Sequence, residues 1–217
     1  MSDPTSPLRI DIVSDVVCPW CVVGYRQLAQ ALEQAETAHE IHWHPFELNP
    51  EMPAQGQNLR DHIMEKYGST AEQSQDARDR LAAVGKDVGF EFRFTDDMRM
   101  YNTFNVHQLL RWAGAQGQEH ALKQAFFTAY FTDHADLSDR AALIKVVTSI
   151  GLNAQEAAEV LEDQRFAPEV RKLQNFWINQ GVRGVPAVVF DQKHLVSGAQ
   201  GVENYSQILA QLAEMQA

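Results

Sequence analysis

Cysteine is nearly absent from this chain: its 217 residues contain two, and these stand together as Cys18-Pro19-Trp20-Cys21. A chain of this length can bury its own core and has no need of a disulfide staple, which argues against a small disulfide-held scaffold. There is no second Cys-x-x-Cys, and His42 and His44 are the close-spaced histidines of one strand face, so the four ligands of a structural zinc site are not assembled and no metal is expected. Basic residues are also scarce, 18 against 29 acidic ones. The resulting net charge of −11, with no basic cluster to override it, argues against nucleic acid or an anionic membrane as partner. No run approaches the ~18 apolar residues of a membrane span. The first residues, Met1 to Pro7, have neither the basic stretch nor the apolar segment of an export signal, so a cytoplasmic location is expected. In that compartment a cysteine pair is more often catalytic than structural.

The pair sits at a junction of two patterns. Leu8-Arg9-Ile10-Asp11-Ile12-Val13 alternates as a strand does, while Val22, Val23, Leu28, Ala29 and Leu32 carry helical spacing. A Cys-x-x-Cys at a strand-to-helix turn is the setting in which a thiol becomes reactive. Cys18 then lies at the helix N-terminus, where unpaired backbone N–H groups and the helix dipole favour a thiolate, and Cys21 lies one turn inside, close enough to attack it. Pro19 suits the first helical position, where its missing N–H costs nothing.

Downstream, Ile41 to Leu48 alternates as a second strand, which Pro45 assigns to a sheet edge. From about Asn58 to Gln180 the sequence reads as almost continuously helical. The segments run over residues 70–88, from near Asn102 to Gly114, over 119–131, from after Ser138 to Gly151, from a capping signal at Asn153 and Glu156, and from near Pro168 to Gly181. Strand signals return after the loop Gly181 to Pro186, as Ala187-Val188-Val189-Phe190 and Leu195-Val196-Ser197-Gly198 joined by a turn. A final amphipathic helix spans about 203–214. The order implies an α/β domain made of residues 8–57 and 181–217, with residues 58–180 as a nested helical domain.

This arrangement resembles the thioredoxin fold, and the long helical block between the second strand and the Val-Pro loop resembles the DsbA-like branch, which carries a helical insertion there. Within that branch, Ser14 to Cys21, Phe46-Glu47-Leu48-Asn49-Pro50, Asn102-Thr103-Phe104 and Ser197-Gly198-Ala199-Gln200 are similar to the FrnE-type subgroup, in a group that also contains the glutathione-dependent 2-hydroxychromene-2-carboxylate isomerases. The resemblance implies that Cys18 is the nucleophilic cysteine and Cys21 the resolving one. It also implies that Pro186, for which sequence alone leaves cis and trans open, is cis and faces them, so that Val185 can pair with an extended substrate segment beside Trp20.

The expected activity is thiol–disulfide exchange on protein or peptide disulfides or dithiols, without metal or organic cofactor and with glutathione as an optional co-substrate. Trp20 stands where DsbA oxidases typically have histidine, and no cysteine outside the motif is available for a relay. The isomerases have serine at the position of Cys18. The alternative is a glutathione-dependent isomerase or transferase acting on a small aromatic or polyketide-like compound, with Trp112, Phe126 and Phe127 as candidate pocket residues, although the helical spacing of these aromatics favours the core over a pocket. A partner-binding module using the groove at Val185 and Pro186 is the non-enzymatic rival.

Overall fold

The structure is a computed structural model in which residues 7–216 are described; the N-terminal segment read above for an export signal lies, up to Ser6, outside them. Strand β1 (Leu8–Ser14) enters the molecule and leads through a short turn into α1 (Pro19–Gln34), after which β2 (His39–Pro45) runs parallel to β1. Strands β5 (Ala187–Phe190) and β6 (His194–Ser197) form the hairpin near the other end of the chain. β5 lies antiparallel beside β1, giving the order β2-β1-β5-β6, and α9 (Val202–Gln216) closes the element order. Pro45 is the last residue of the edge strand β2, where it has no ladder donor to withhold.

Between β2 and β5 come α2 (Leu59–Tyr67), α3 (Ala71–Asp87), α4 (Phe104–Gly114), α5 (Glu119–Phe131), α6 (Arg140–Ser149), α7 (Ala154–Asp163) and α8 (Ala167–Asn179). Side chains cap the starts of α2, α3, α6 and α7, whereas α4, α5 and α8 begin without a side-chain cap. Asn58 caps α2, Thr70 and Gln73 form a reciprocal capping box on α3, and Asn153 accepts from the backbone of Gln155 and Glu156 at the start of α7.

The helical block is interrupted at residues 88–103, the interval between the helices predicted over 70–88 and from near Asn102. This stretch is irregular, with turns at 88–89 and 96–97, and its Arg99–Met100 strand (β4) pairs with Gln57–Asn58 (β3). The cause is an aromatic cluster at period two: Phe90, Phe92 and Phe94 pack against Phe131, with Phe92 and Phe94 stacked 4° from parallel, and Arg93 N–H donates to the Phe131 carbonyl at 2.9 Å.

The alternation of β1 gives its two faces different roles. Ile10 and Ile12 join a core that runs from α1 and α9 into the helical block, whereas Val13 belongs to a small separate cluster with Trp177, Val182, Ala187 and Val189, beneath α8.

Candidate active site

Cys18 is the N-cap of α1 and Pro19 its first residue, so the first sulfur stands where the helix presents unpaired N–H groups. Its backbone is tied into the turn: Cys18 N–H donates to Asp15 C=O at 3.3 Å, and Cys21 N–H to Cys18 C=O at 3.1 Å. Both thiols are free and buried. Cys18 Sγ donates to the Val185 carbonyl at 3.5 Å, and the Val185–Pro186 peptide bond is cis. Trp20 projects from the same turn and is 46% exposed. Cys18, Cys21, Trp20, Val185 and Pro186 therefore meet at one end of α1.

Gly24 contributes to the approach of α1 to Pro186, and sequence reading missed it. A Cβ there would lie 3.2 Å from Pro186 Cγ and 3.4 Å from Ala199 Cα, tighter than ordinary packing. Its only sequence signal is a glycine inside a helix that otherwise has no reason for one.

Beneath the pair lies a buried polar group. Asp15 is fully buried; its Oδ2 accepts from Leu48 N–H at 2.8 Å, and its Oδ1 has no hydrogen-bond partner among the described residues. His107 Nε2 donates to the Phe46 carbonyl at 2.9 Å and stands 3.4 Å from that Oδ1. Lys123, on α5, is 1% exposed, with its ammonium 5.4 Å from the Trp43 ring centre and 5.2 Å from that of Phe127. Burial pushes the Cys21 thiol well above its ordinary range, the neighbouring Cys18 sulfur raises it further, and Lys123 pulls partly in the other direction. Burial would also raise Asp15, yet His107, Leu48 N–H and Lys123 hold it below the usual carboxylate range. Burial lowers the Lys123 ammonium against the opposing pull of Cys21, Asp15, Glu119 and Cys18. Sequence reading missed Lys123 and His107 because each lies in an apolar helical stretch and meets Asp15 only through the fold.

A cavity of about 320 Å³ opens beside Cys18, between the α1 turn and α2–α3, with Leu59, Ile63, Phe94 and Tyr130 among its walls. Arg78 also lines it; the side chain is 8% exposed, Nη1 donates to Thr95 C=O at 3.4 Å, and Nη2 has no partner among the described residues. Trp112, Phe126 and Phe127, the alternative's candidate pocket residues, do not line this cavity. They are packed in the core at 6%, 0% and 0% exposure, as their helical spacing favours, and the wall comes from α2, α3 and the aromatic stretch before β4. Of the histidines weighed as metal ligands, His44 binds Asp11 at 2.7 Å and His42 stands 3.7 Å from Glu40.

The segments that carried the family resemblance converge here. Leu48 reaches Asp15, Asn102 Nδ2 donates to Pro50 C=O at 2.9 Å, and Gly198 N–H to Pro186 C=O at 2.8 Å.

A strand, a cysteine pair opening a helix, and a Val-Pro loop brought back against the first sulfur define a thioredoxin-fold oxidoreductase architecture. Residues 9–210 match the model of the DSBA-like thioredoxin domain, and the chain belongs to that family. Its structure is similar to the crystal structure of a probable DsbA oxidoreductase, SCO1869, from Streptomyces coelicolor, with 33% identity, a TM-score of 0.90, and coverage of 97% of this chain and 91% of that one. In fold it is similar to a 2-hydroxychromene-2-carboxylate isomerase, with 13% identity, a TM-score of 0.71, and coverage of 95% and 97%. The same holds for the cytosolic disulfide reductase DsbM from Pseudomonas aeruginosa, solved with GSH, at 14% identity, a TM-score of 0.66, and coverage of 95% and 100%. Among curated proteins, YwbO of Bacillus subtilis is 22% identical over 94% of this chain and 96% of its own length.

Proposed function

We propose that the chain is a thiol–disulfide oxidoreductase working through Cys18 and Cys21. The observation that carries this reading is the asymmetry of the pair: one sulfur at the helix start against the Val185 carbonyl, the other one turn inside with its thiol pushed up. The Cys18 thiolate attacks one sulfur of a substrate disulfide. A Cys18–substrate disulfide forms and the other substrate sulfur leaves as a thiolate. Cys21 then loses its proton and attacks Cys18 Sγ, which forms the Cys18–Cys21 disulfide and releases the second substrate thiolate; run backwards, the sequence oxidises a dithiol. In the mixed disulfide the charge on Cys18 is gone, so one of the influences that raise Cys21 disappears while the pull of Lys123 remains.

The Val185 carbonyl, released by the Cys18 thiol at that point, is left to accept from the backbone of an extended substrate, with Trp20 as the exposed apolar surface beside it. The chemistry needs no metal or organic cofactor. Glutathione serves as co-substrate in this reading, in keeping with the GSH in the DsbM structure. The cytosolic description of DsbM also supports a cytoplasmic place of action. The segments around Asp15 support placement in the FrnE-type subgroup, and α2–α8 support reading residues 58–180 as an inserted helical domain. No helix among the described residues is long and apolar enough to cross a membrane. Reduction of insulin by the glutathione-coupled protein tests the reading: the parent turns over, and activity retained by Cys18→Ser rejects it.

A second reading, a glutathione-dependent isomerase or transferase for a small compound, is favoured by one observation. The cavity beside Cys18 is lined by Arg78, whose buried Nη2 has no partner among the described residues, which suits a compact substrate carrying an acceptor group.

A further inference from the structure

The sheet face away from the cysteines carries a larger cavity, of about 580 Å³, between α8 and strands β1, β5 and β6. Arg9 and Asp11 of β1 point to this face with Val13, opposite to Ile10 and Ile12, and neither cysteine lines the cavity. The volume lies within the range of small-molecule sites.

Its electrostatics differ from those of the molecule as a whole. The chain carries a net charge of −11, yet the cavity is lined by three cations, Arg9, Lys172 and Lys193, and one carboxylate, Asp11. That carboxylate is already compensated inside the fold. Arg9 donates to both of its oxygens, at 2.7 and 2.9 Å, and His44 Nε2 lies 2.7 Å from Oδ1. Burial lowers His44 towards its neutral form, in which Nε2–H donates to Asp11.

The apolar part is equally distinct. Phe176 and Leu195, 50% and 46% exposed, stand at its lip, and Val189 continues the wall inward. Trp177, 7% exposed and 4.7 Å from the His44 ring, lines the same cavity, and its indole Nε1–H has no partner among the described residues. A buried indole N–H normally finds an acceptor.

We propose that this cavity is a second ligand site, for a small amphipathic organic anion such as an aryl or medium-chain carboxylate. The anionic group is taken by Lys172, Lys193 and the Trp177 N–H, and the apolar body lies against Phe176, Leu195 and Val189. The site is independent of the thiol chemistry.

Octanoate and its uncharged counterpart octanamide are the probes, titrated into the reduced full-length protein by calorimetry. Octanoate is expected to bind saturably, octanamide at least tenfold more weakly, and the exposed double variant Lys172→Glu/Lys193→Glu to lose at least tenfold in octanoate affinity while keeping parental disulfide-exchange activity. Binding should survive in Cys18→Ser/Cys21→Ser. Absence of saturable octanoate binding overturns the proposal. So does equal affinity for the amide, indifference to the charge reversal, or dependence on the cysteines, which would place the probe in the cavity beside Cys18. Self-association that Leu195→Glu abolishes, without octanoate binding, assigns the face to a second copy and also overturns it.

Discussion

Cys18 Sγ and the Val185 carbonyl meet at 3.5 Å across 167 positions of sequence, and through this contact the last third of the chain reaches the first helix. The contact distinguishes the two thiols. Cys18 faces the loop on which an extended substrate can lie, whereas Cys21 is 1% exposed and faces inward to a buried lysine.

Single serine variants should therefore behave differently. Cys18→Ser is expected to abolish disulfide exchange and to take up no glutathione. Cys21→Ser is expected to accumulate a glutathione or substrate adduct on Cys18, because the resolving thiol is missing. Intact-mass spectrometry after incubation with oxidised glutathione reads both. An adduct on Cys21 in the first variant, with none in the second, reverses the roles.

Gly24 gives a prediction about positioning. Its missing Cβ leaves room for Pro186 Cγ and for the backbone of Ala199. Gly24→Val should cost roughly 1–3 kcal/mol by overpacking and push the Val185 loop away from Cys18. Exchange should fall at least several-fold, with Gly24→Ala intermediate. Urea unfolding measures the first effect and insulin reduction the second; a fully active, fully stable valine variant would show that the close approach is immaterial.

Much of this fold was legible because its punctuation is local. Helix α5 runs from Glu119 to Phe131 as its apolar spacing predicts, just after a positive-φ glycine at 117, and β5 coincides with Ala187–Phe190. The cysteine motif was legible for the same reason: its residues are adjacent in sequence. The irregular stretch with Phe90, Phe92 and Phe94 was not, since its partner is Phe131 at the end of a different helix. Nor were Lys123 and His107 as neighbours of Asp15. A polar residue in an apolar helical stripe reads as a boundary of the buried face until the tertiary fold brings its counter-charge.

The buried Cys21 thiol also sets a pH dependence. Its folded pKa lies above the unfolded value of about 8.5, so the reduced fold has the full benefit below that pH and loses it as pH rises through the folded value. Between those limits stability should fall by up to about 1.4 kcal/mol per pH unit. Urea unfolding of the reduced protein at pH 7 and pH 10, beside Cys21→Ala, measures this. A Cys21→Ala protein with the same alkaline loss as the parent would remove Cys21 as its origin.

The redox and isomerase readings share the groove and the cavity but make different demands on Cys18. Exchange requires sulfur there, because the intermediate is itself a disulfide through that atom. Isomerisation requires only a group that positions and polarises the thiol of glutathione, which a hydroxyl can do. Cys18→Ser should therefore eliminate insulin reduction and leave no isomerase activity on a hydroxychromene-type carboxylate supplied with glutathione. Arg78 sharpens the comparison, since it lines the cavity and its Nη2 has no partner among the described residues. Arg78→Met should leave insulin reduction within about twofold if protein disulfides are the substrates, because an extended segment on Val185 has no need of the guanidinium. If Cys18→Ser instead isomerises the small compound as fast as the parent, and Arg78→Met abolishes that turnover, the buried guanidinium is the substrate anchor and disulfide exchange is the secondary activity.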